Sequence, residues 1–166
     1  MSARLEAATH QFQTSILVSE WFYNELSASA RRYCRMVDRI CVVGSKIPME
    51  IWTVDVFNYD IDNFLEPIVG ENGVQKLADW GTHEHFVKMQ RKSGIDGWLD
   101  AFNAGVDRYI AGDFAAARAA LEQADKINPG DGPTASLLKQ MERMGNRAPD
   151  DWKDASGRGY RQLTSK

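Results

Sequence analysis

Three short segments carry residue types that could bind a metal ion or a phosphate group. Residues 83–85 (His-Glu-His) offer imidazoles, but a helical zinc site spaces its ligands four residues apart and needs a further Cys or His nearby. Residues 60–63 (Asp-Ile-Asp-Asn) lack the central Gly and final Glu of a calcium loop. Residues 128–133 (Asn-Pro-Gly-Asp-Gly-Pro) lack the Gly-Lys-Ser/Thr of a phosphate-binding loop. We therefore expect no bound metal ion or cofactor, and we interpret the last segment as a helix stop.

The composition argues against several classes of protein. The 166 residues are 43% hydrophobic with a net charge of -3, and basic and acidic residues alternate without a basic stripe, which argues against nucleic acid as a partner. No apolar run approaches the ~20 residues that cross a bilayer, so we expect an intracellular protein without direct membrane insertion. Cys34 and Cys41 are interpreted as packing residues in a reduced compartment.

Helix and strand signals alternate over the first 56 residues. Ser19 is a natural N-cap for a short helix, with an acidic residue in the first turn. The β-branched residues of two later runs predict an antiparallel hairpin with a loop of about five residues. The predicted elements are a helix at 3–12, a strand at 15–18, a helix at 20–26, a helical stretch reaching about residue 33, and strands at 38–43 and 49–56.

Ala-rich helices dominate the remainder of the chain. Residues 57–97 have weak helical patches at 74–80 and 84–92 and are interpreted as a connector. Helices are predicted at 99–111 and 114–127, separated by Gly112-Asp113, and a third at 136–144. The residues from 149 onward have no periodicity beyond isolated Trp152, Tyr160 and Leu163.

The N-terminal third resembles the end of class III adenylate and guanylate cyclase domains. The resemblance lies in residues 2–9 (SARLEAAT), 15–20 (SILVSE), 35–39 (RMVDR) and 44–53 (GSKIPMEIWT), in matching order and spacing. It implies roughly the last third of an α+β sheet domain, without the early strands whose carboxylates bind two metal ions in that family.

Two residues fall on phosphate-contacting positions of that family. Arg4 matches an Arg that stabilises negative charge in the transition state, a task suited to a forked and permanently charged guanidinium. The Asn that accompanies it in the family would lie before Met1. Lys46 is the nearest match to a hairpin Lys that reaches substrate phosphates, although Val43 and Ser45 stand where relatives often carry basic residues. The resemblance thus implies a vestigial site without metal ligands.

A second resemblance, to one tetratricopeptide unit, covers the Ala-rich helices. The matching positions combine small and large packing residues at its spacing: Gly105, Gly112, Asp113, Phe114, Ala117, Leu121, Ala124, Ile127 and Pro129. Gly105 and Ala117 would let two antiparallel helices approach closely. One such unit cannot bury its own faces, so it must dock on the rest of the chain or on a partner.

These observations predict an α+β fold: a partial cyclase-like sheet, derived from a ferredoxin-like arrangement, with flanking helices and a C-terminal α-helical hairpin. The predicted divisions are a truncated cyclase-like segment at 1–56, a connector at 57–97, a tetratricopeptide-like segment at 98–145 and an extended tail at 146–166.

Two functions remain open at this point. The first is a non-catalytic structural or interaction subunit, derived from a cyclase fragment, in an obligate complex with other protein subunits. The second is the C-terminal piece of a cyclase, which would complete an active site with another chain and donate Arg4 and Lys46. The complex is expected because a detached hairpin leaves a sheet edge and an apolar face uncovered. That face would comprise Ile16, Ile40, Val42, Ile51 and Val54.

Overall fold

The structure, a computed structural model, describes the backbone of residues 2–58 and 84–163 and the side chains of residues 5–58 and 87–163. These residues form an α+β fold, as predicted. In chain order the elements are α1 (Ser2–Phe12), β1 (Val18–Ser19), α2 (Glu20–Glu25), α3 (Ala28–Arg31), β2 (Cys34–Cys41), β3 (Met49–Val54), α4 (Glu84–Met89), α5 (Trp98–Ala111), α6 (Phe114–Ile127), α7 (Gly132–Arg143) and β4 (Arg161–Gln162). The segment at 60–63, the helical patch at 74–80, and the side chains of the 83–85 segment lie outside the described residues.

The strands form one mixed sheet of order β1-β3-β2-β4. The predicted hairpin is confirmed, since β2 and β3 pair antiparallel, but β2 begins at Cys34 rather than at residue 38 because its pairing reaches Val54. Val37 is an extra residue in that ladder and forms a bulge. In β3 the burial alternates, whereas β2 is buried along most of its length, as expected for a strand covered on both faces.

Local capping signals set the ends of several helices. Ser19 caps α2 as predicted, with its hydroxyl accepting a hydrogen bond from the Phe22 N–H at 3.3 Å. Helix α7 begins at Gly132 rather than at residue 136. There Asp131 accepts from the Thr134 N–H at 3.0 Å, and Pro133 suits a first turn that needs no amide donor.

The predicted helical pair is confirmed, and a close approach of α5 and α6 holds it together. A Cβ added to Gly105 would lie 2.6 Å from Leu121 Cγ, so only Gly fits against that side chain. Ala117 is fully buried in the same apolar cluster. Gly112 turns the chain with φ +83°, and Asp113 caps α6 through the Ala116 N–H.

A second apolar cluster lies between α1 and the sheet. Phe12 of α1 packs there with Val37, Ile40 and Ile51, all of them fully buried. Two predicted face residues take no part in this cluster: Ile16, which is 47% exposed, and Val54, which is partly buried. The chain thus covers much of the predicted apolar face with its own α1.

The residues after α7 are not simply an extended tail. Trp152 packs against the rings of Tyr109 and Phe114, with ring centroids 4.9 and 5.2 Å apart. Its indole N–H donates a hydrogen bond to the Tyr109 carbonyl at 3.1 Å. Gly159 lies so close to Trp152 that a Cβ would collide with the indole. Strand β4 then pairs parallel with β2. These long-range contacts give no periodic signal in the sequence, which is why they were missed.

Candidate functional site

The two residues matched to cyclase phosphate contacts lie on different elements. Arg4 is in the first turn of α1, with a side chain outside the described ones, and Lys46 is exposed in the turn between β2 and β3. Within the described residues, no group of three His, Cys, Asp or Glu side chains is placed to hold a metal ion. In the same residues, no helix is both long and apolar enough to span a bilayer.

Three charged residues of β2 form ion pairs with distant parts of the chain. We call Arg35, Asp38 and Arg39, together with their partners Asp55, Asp131, Arg161 and Asp154, the charged seam. Its members connect the sheet to the helices and to the segment after α7. No sequence pattern predicts the charged seam, because a charged residue in a strand usually faces water.

Arg35 is the first member of the charged seam. Its guanidinium donates to Asp55 at 2.6 and 2.9 Å and to Asp131 at 2.9 and 3.0 Å. It also lies over the rings of Trp98 and Phe102, at 4.6 and 4.2 Å from their centroids. Burial acts to lower the pKa of Arg35, but the two carboxylates raise it overall. Its donors are engaged within the fold, which favours a structural role.

Asp38 and Arg161 form the most deeply buried pair of the charged seam. Asp38 is 0% and Arg161 2% exposed, and Arg161 Nε lies 2.8 Å from Asp38 Oδ2. The Arg39 N–H donates to the other carboxylate oxygen at 2.7 Å. Burial raises the pKa of Asp38 to about 6, and the opposing effects of Arg161 and the Arg39 N–H are smaller. Burial likewise raises the pKa of the nearby Tyr109 hydroxyl.

The third pair lies at the edge of the charged seam. Arg39 donates to Asp154 at 2.5 Å and to the Arg158 carbonyl at 3.1 Å. Hydrogen bonds from Ser156 and Arg39 lower the pKa of Asp154. Arg158 in turn pairs with Glu50 of β3 at 2.6 Å. The segment after α7 is therefore joined to both long strands of the sheet.

A cleft of about 220 Å³ opens beside Arg35. Its walls come from the loop after α1, the end of β3 and the loop before α7. Asp55 and Asp131 line it but are both paired with Arg35, and Lys92 donates to the Asn128 side chain. These charges are compensated within the cleft, so its chemistry does not favour a general base or a nucleophile.

A clearly exposed apolar surface lies on α2, at the end of the sheet opposite the cleft. This helix contains no buried residue, and Trp21 and Phe22 are 53% and 57% exposed. The ring of Tyr23 instead stacks on the ring of Trp52 in β3, with the two ring centroids 3.8 Å apart. Consecutive residues of a helix lie ~100° apart, so seating Tyr23 on the sheet turns Trp21 outward. Trp21 is therefore not a packing anchor of this fold, although Trp residues are highly buried on average.

The β2–β3 turn carries two further exposed apolar residues. The Glu50 N–H donates to the Glu20 carboxylate at 3.1 Å, which places the first turn of α2 beside the start of β3. The turn just before β3 carries Val43 and Ile47, which are 39% and 70% exposed. We call Trp21, Phe22, Val43 and Ile47 the apolar end of the sheet. Three consecutive aromatic residues in a six-residue helix were the sequence signal that could have revealed it.

Comparisons of the chain with known protein families, with curated proteins and with solved structures find no match.

Proposed function

We propose that this chain is a non-catalytic interaction subunit, derived from a nucleotide cyclase fragment, that binds a protein partner through the apolar end of the sheet. The observation that carries the proposal is the exposure of Trp21 and Phe22 on a helix with no buried residue. Large aromatic side chains are enriched at protein interfaces, where they supply buried area at a low cost in conformational entropy. Scattered single apolar residues need no such explanation, but adjacent exposed aromatics do.

Elsewhere in the fold the chain covers its own sheet, so there is less need for a partner. Helix α1 covers one part of the sheet, α5 packs on β2, and β4 pairs with the β2 edge. The predicted uncovered edge and face of the sheet are therefore only a weak reason to expect a partner. The expectation now rests on the apolar end of the sheet. The polar character of the cleft beside Arg35, with its charges already paired, supports the non-catalytic part of the proposal.

The cyclase ancestry rests on the sequence runs and on where they fall. Residues 2–9 lie in α1, 15–20 reach from the loop through β1 to α2, and 35–39 and 44–53 cover the hairpin. Such a helix, strand and hairpin order is what the resemblance implies for the end of the domain. This placement supports the ancestry without adding a catalytic group to it.

Partner binding can be tested with a double variant, Trp21→Gln with Phe22→Gln, in the full chain. The matched control is Leu99→Gln, because Leu99 is 44% exposed on α5, away from the apolar end. We expect a protein that co-purifies with wild type from the source cells to be lost with the double variant and kept with the control. A chain that is monomeric at high concentration and retains every co-purifying protein after the double substitution would refute the proposal.

The same purified samples test the alternative in which the chain completes a cyclase active site. We expect no cyclic nucleotide from ATP or GTP with the purified chain, because this sequence lacks the metal-binding carboxylates on which such a reaction depends. If the captured complex instead forms cyclic nucleotide, and Arg4→Ala or Lys46→Ala abolishes that activity, the chain completes an active site and the non-catalytic reading is wrong.

A further inference from the structure

A second cleft, of about 330 Å³, opens between the residues that follow α3 and the loop that leads into α5. Ligand clefts in proteins measure about 300–1,000 Å³, so this one is large enough for a small molecule or a single side chain. Three aromatic side chains line it, those of Tyr33, Phe57 and Trp98. Phe57 meets Trp98 edge to face, with ring centroids 5.8 Å apart. Aromatic linings of this kind bind organic cations in many proteins.

The charged residues of this cleft are mostly acidic, and we call it the acidic cleft. Asp96 and Asp100 line it, and neither carboxylate forms a hydrogen bond or an ion pair in the described part of the chain. Asp55 also lines it but already has an ion-pair partner. Arg32, the single cation of the described lining, lies over the Tyr33 ring at 4.9 Å. The acidic cleft therefore carries more negative than positive charge.

A buried donor without an acceptor also lies in the wall of the acidic cleft. Acidic residues near a helix N-terminus are common because the helix dipole favours them, so Asp96 and Asp100 alone do not define a ligand site. Trp98, however, is 3% exposed, and its indole N–H has no hydrogen-bond partner in the described structure. A buried donor left unpaired destabilises a fold. Trp98 otherwise packs in the apolar cluster of α5 and α6, so the cleft is the side from which an acceptor can reach it.

The fold already holds one guanidinium with a similar set of groups. Arg35 pairs with the carboxylates of Asp55 and Asp131 and lies over the rings of Trp98 and Phe102. The acidic cleft offers two carboxylates and aromatic rings without a guanidinium between them. A planar guanidinium stacks on rings and donates paired hydrogen bonds to carboxylates, whereas an ammonium is a compact point charge. The comparison with Arg35 therefore favours a guanidinium as the ligand group.

We propose that the acidic cleft binds arginine, either as the free amino acid or as a residue of a peptide. Asp96 and Asp100 pair with its guanidinium, and Tyr33 and Phe57 flank its aliphatic stem. The Trp98 indole N–H donates to its carbonyl or carboxylate oxygen. The lining includes no residue of the apolar end of the sheet, so this proposal does not depend on the proposed function.

Titration of the full chain with N-acetyl-arginine amide tests the proposal through the NMR resonance of the Trp98 indole N–H. We expect a saturable shift of this resonance, and none with N-acetyl-glutamine amide, which has the carbonyl groups but no charge. Asp96→Asn combined with Asp100→Asn should weaken binding by about 10-fold, because two exposed ion pairs are lost. High salt should also weaken it.

The matched control is Asp107→Asn combined with Asp125→Asn, which removes the same charge at residues of α5 and α6 that do not line the acidic cleft. This control should bind the probe like wild type. A Gly-Arg-Gly peptide with blocked ends distinguishes the two sources of arginine. Tighter binding of the peptide than of free arginine would assign the site to a partner protein, and the reverse would assign it to the free amino acid.

Three results would overturn the proposal. The first is the absence of a saturable Trp98 shift with every arginine probe. The second is equal weakening of binding in the two double variants, which would assign the effect to net charge. The third is binding of N-acetyl-glutamine amide as tight as that of the arginine probe, which would show that the carboxylates do not recognise a cation.

Discussion

The helical pair α5–α6 and the charged seam hold the molecule together in opposite ways. The helical pair joins neighbouring elements through apolar contacts around Gly105, Ala117 and Leu121. The charged seam joins residues separated by 96 positions, Arg35 and Asp131, and by 115 positions, Arg39 and Asp154. Apolar packing is non-directional, so a single substitution weakens it gradually. A buried ion pair that loses one partner instead leaves an uncompensated charge. Single substitutions should therefore damage the charged seam more than the helical pair.

The largest expected effect is that of Arg161→Met, which keeps an unbranched side chain but removes the charge beside Asp38. Breaking a buried pair by deleting one partner typically costs about 3–5 kcal/mol. We expect the free energy of unfolding at pH 7, measured by urea denaturation, to fall by an amount in that range.

A double-mutant cycle sharpens this first prediction. Adding Asp38→Asn to Arg161→Met removes the charge that the single variant leaves buried, so the double variant should be more stable than Arg161→Met alone. Additive losses from the two substitutions would mean that the pair contributes through packing, and the contrast with the helical pair would then disappear.

The same contrast explains which parts of the fold could be predicted from the sequence. The helical pair, its break at Gly112-Asp113, the Ser19 cap and the β2–β3 hairpin follow from periodicity, caps and turn residues within a few positions. Strand β4 and all but one of the ion pairs of the charged seam depend on partners about 100 residues away, and a single Arg or Asp in a strand gives no sign of its partner.

The candidate site was predictable to a smaller extent. Lys46 lies exposed in a turn, as its Gly-Ser-Lys-Ile-Pro surroundings predict, and Arg4 lies in the expected helix. The exposure of Trp21 depends on Tyr23 stacking on Trp52, a tertiary contact between residues 29 positions apart. Aromatic residues are usually buried, so composition alone does not predict that Trp21 is exposed.

The second prediction concerns the crossing of the helical pair. Ala117→Leu adds three carbon atoms where α6 meets α5 and Ala117 is fully buried, so it should overpack the contact by about 1–3 kcal/mol. The change should appear as a lower melting temperature. An unchanged melting temperature would show that the crossing has room for a larger side chain and that the close approach at Gly105 is not general.

The third prediction concerns the N-cap of α6. The Asp113 carboxylate accepts a hydrogen bond from the Ala116 N–H at 3.1 Å, and Asp113→Ala would leave that donor to water. Loss of such a cap costs about 0.5–2 kcal/mol. Urea denaturation should show a smaller loss for Asp113→Ala than for Arg161→Met, while Asp113→Asn, which keeps a capping oxygen, should stay close to wild type. An equal loss in Asn and Ala variants would assign the effect to charge instead of capping.

The smallest expected change in the free energy of unfolding is at Arg118. This residue forms an ion pair on the exposed face of α6 and can be compared with the buried Arg161. Arg118 pairs with Glu122 one turn later at 2.7 Å and donates to the Asn146 side chain at 2.6 Å, yet it is 40% exposed. Water screens this pair, and Arg preceding Glu is the less favourable order along a helix. We expect Arg118→Ala to change the free energy of unfolding by only about 0.2–0.5 kcal/mol, with less effect still at high salt. A loss as large as that of Arg161→Met would show that burial does not set the strength of the ion pairs in this protein.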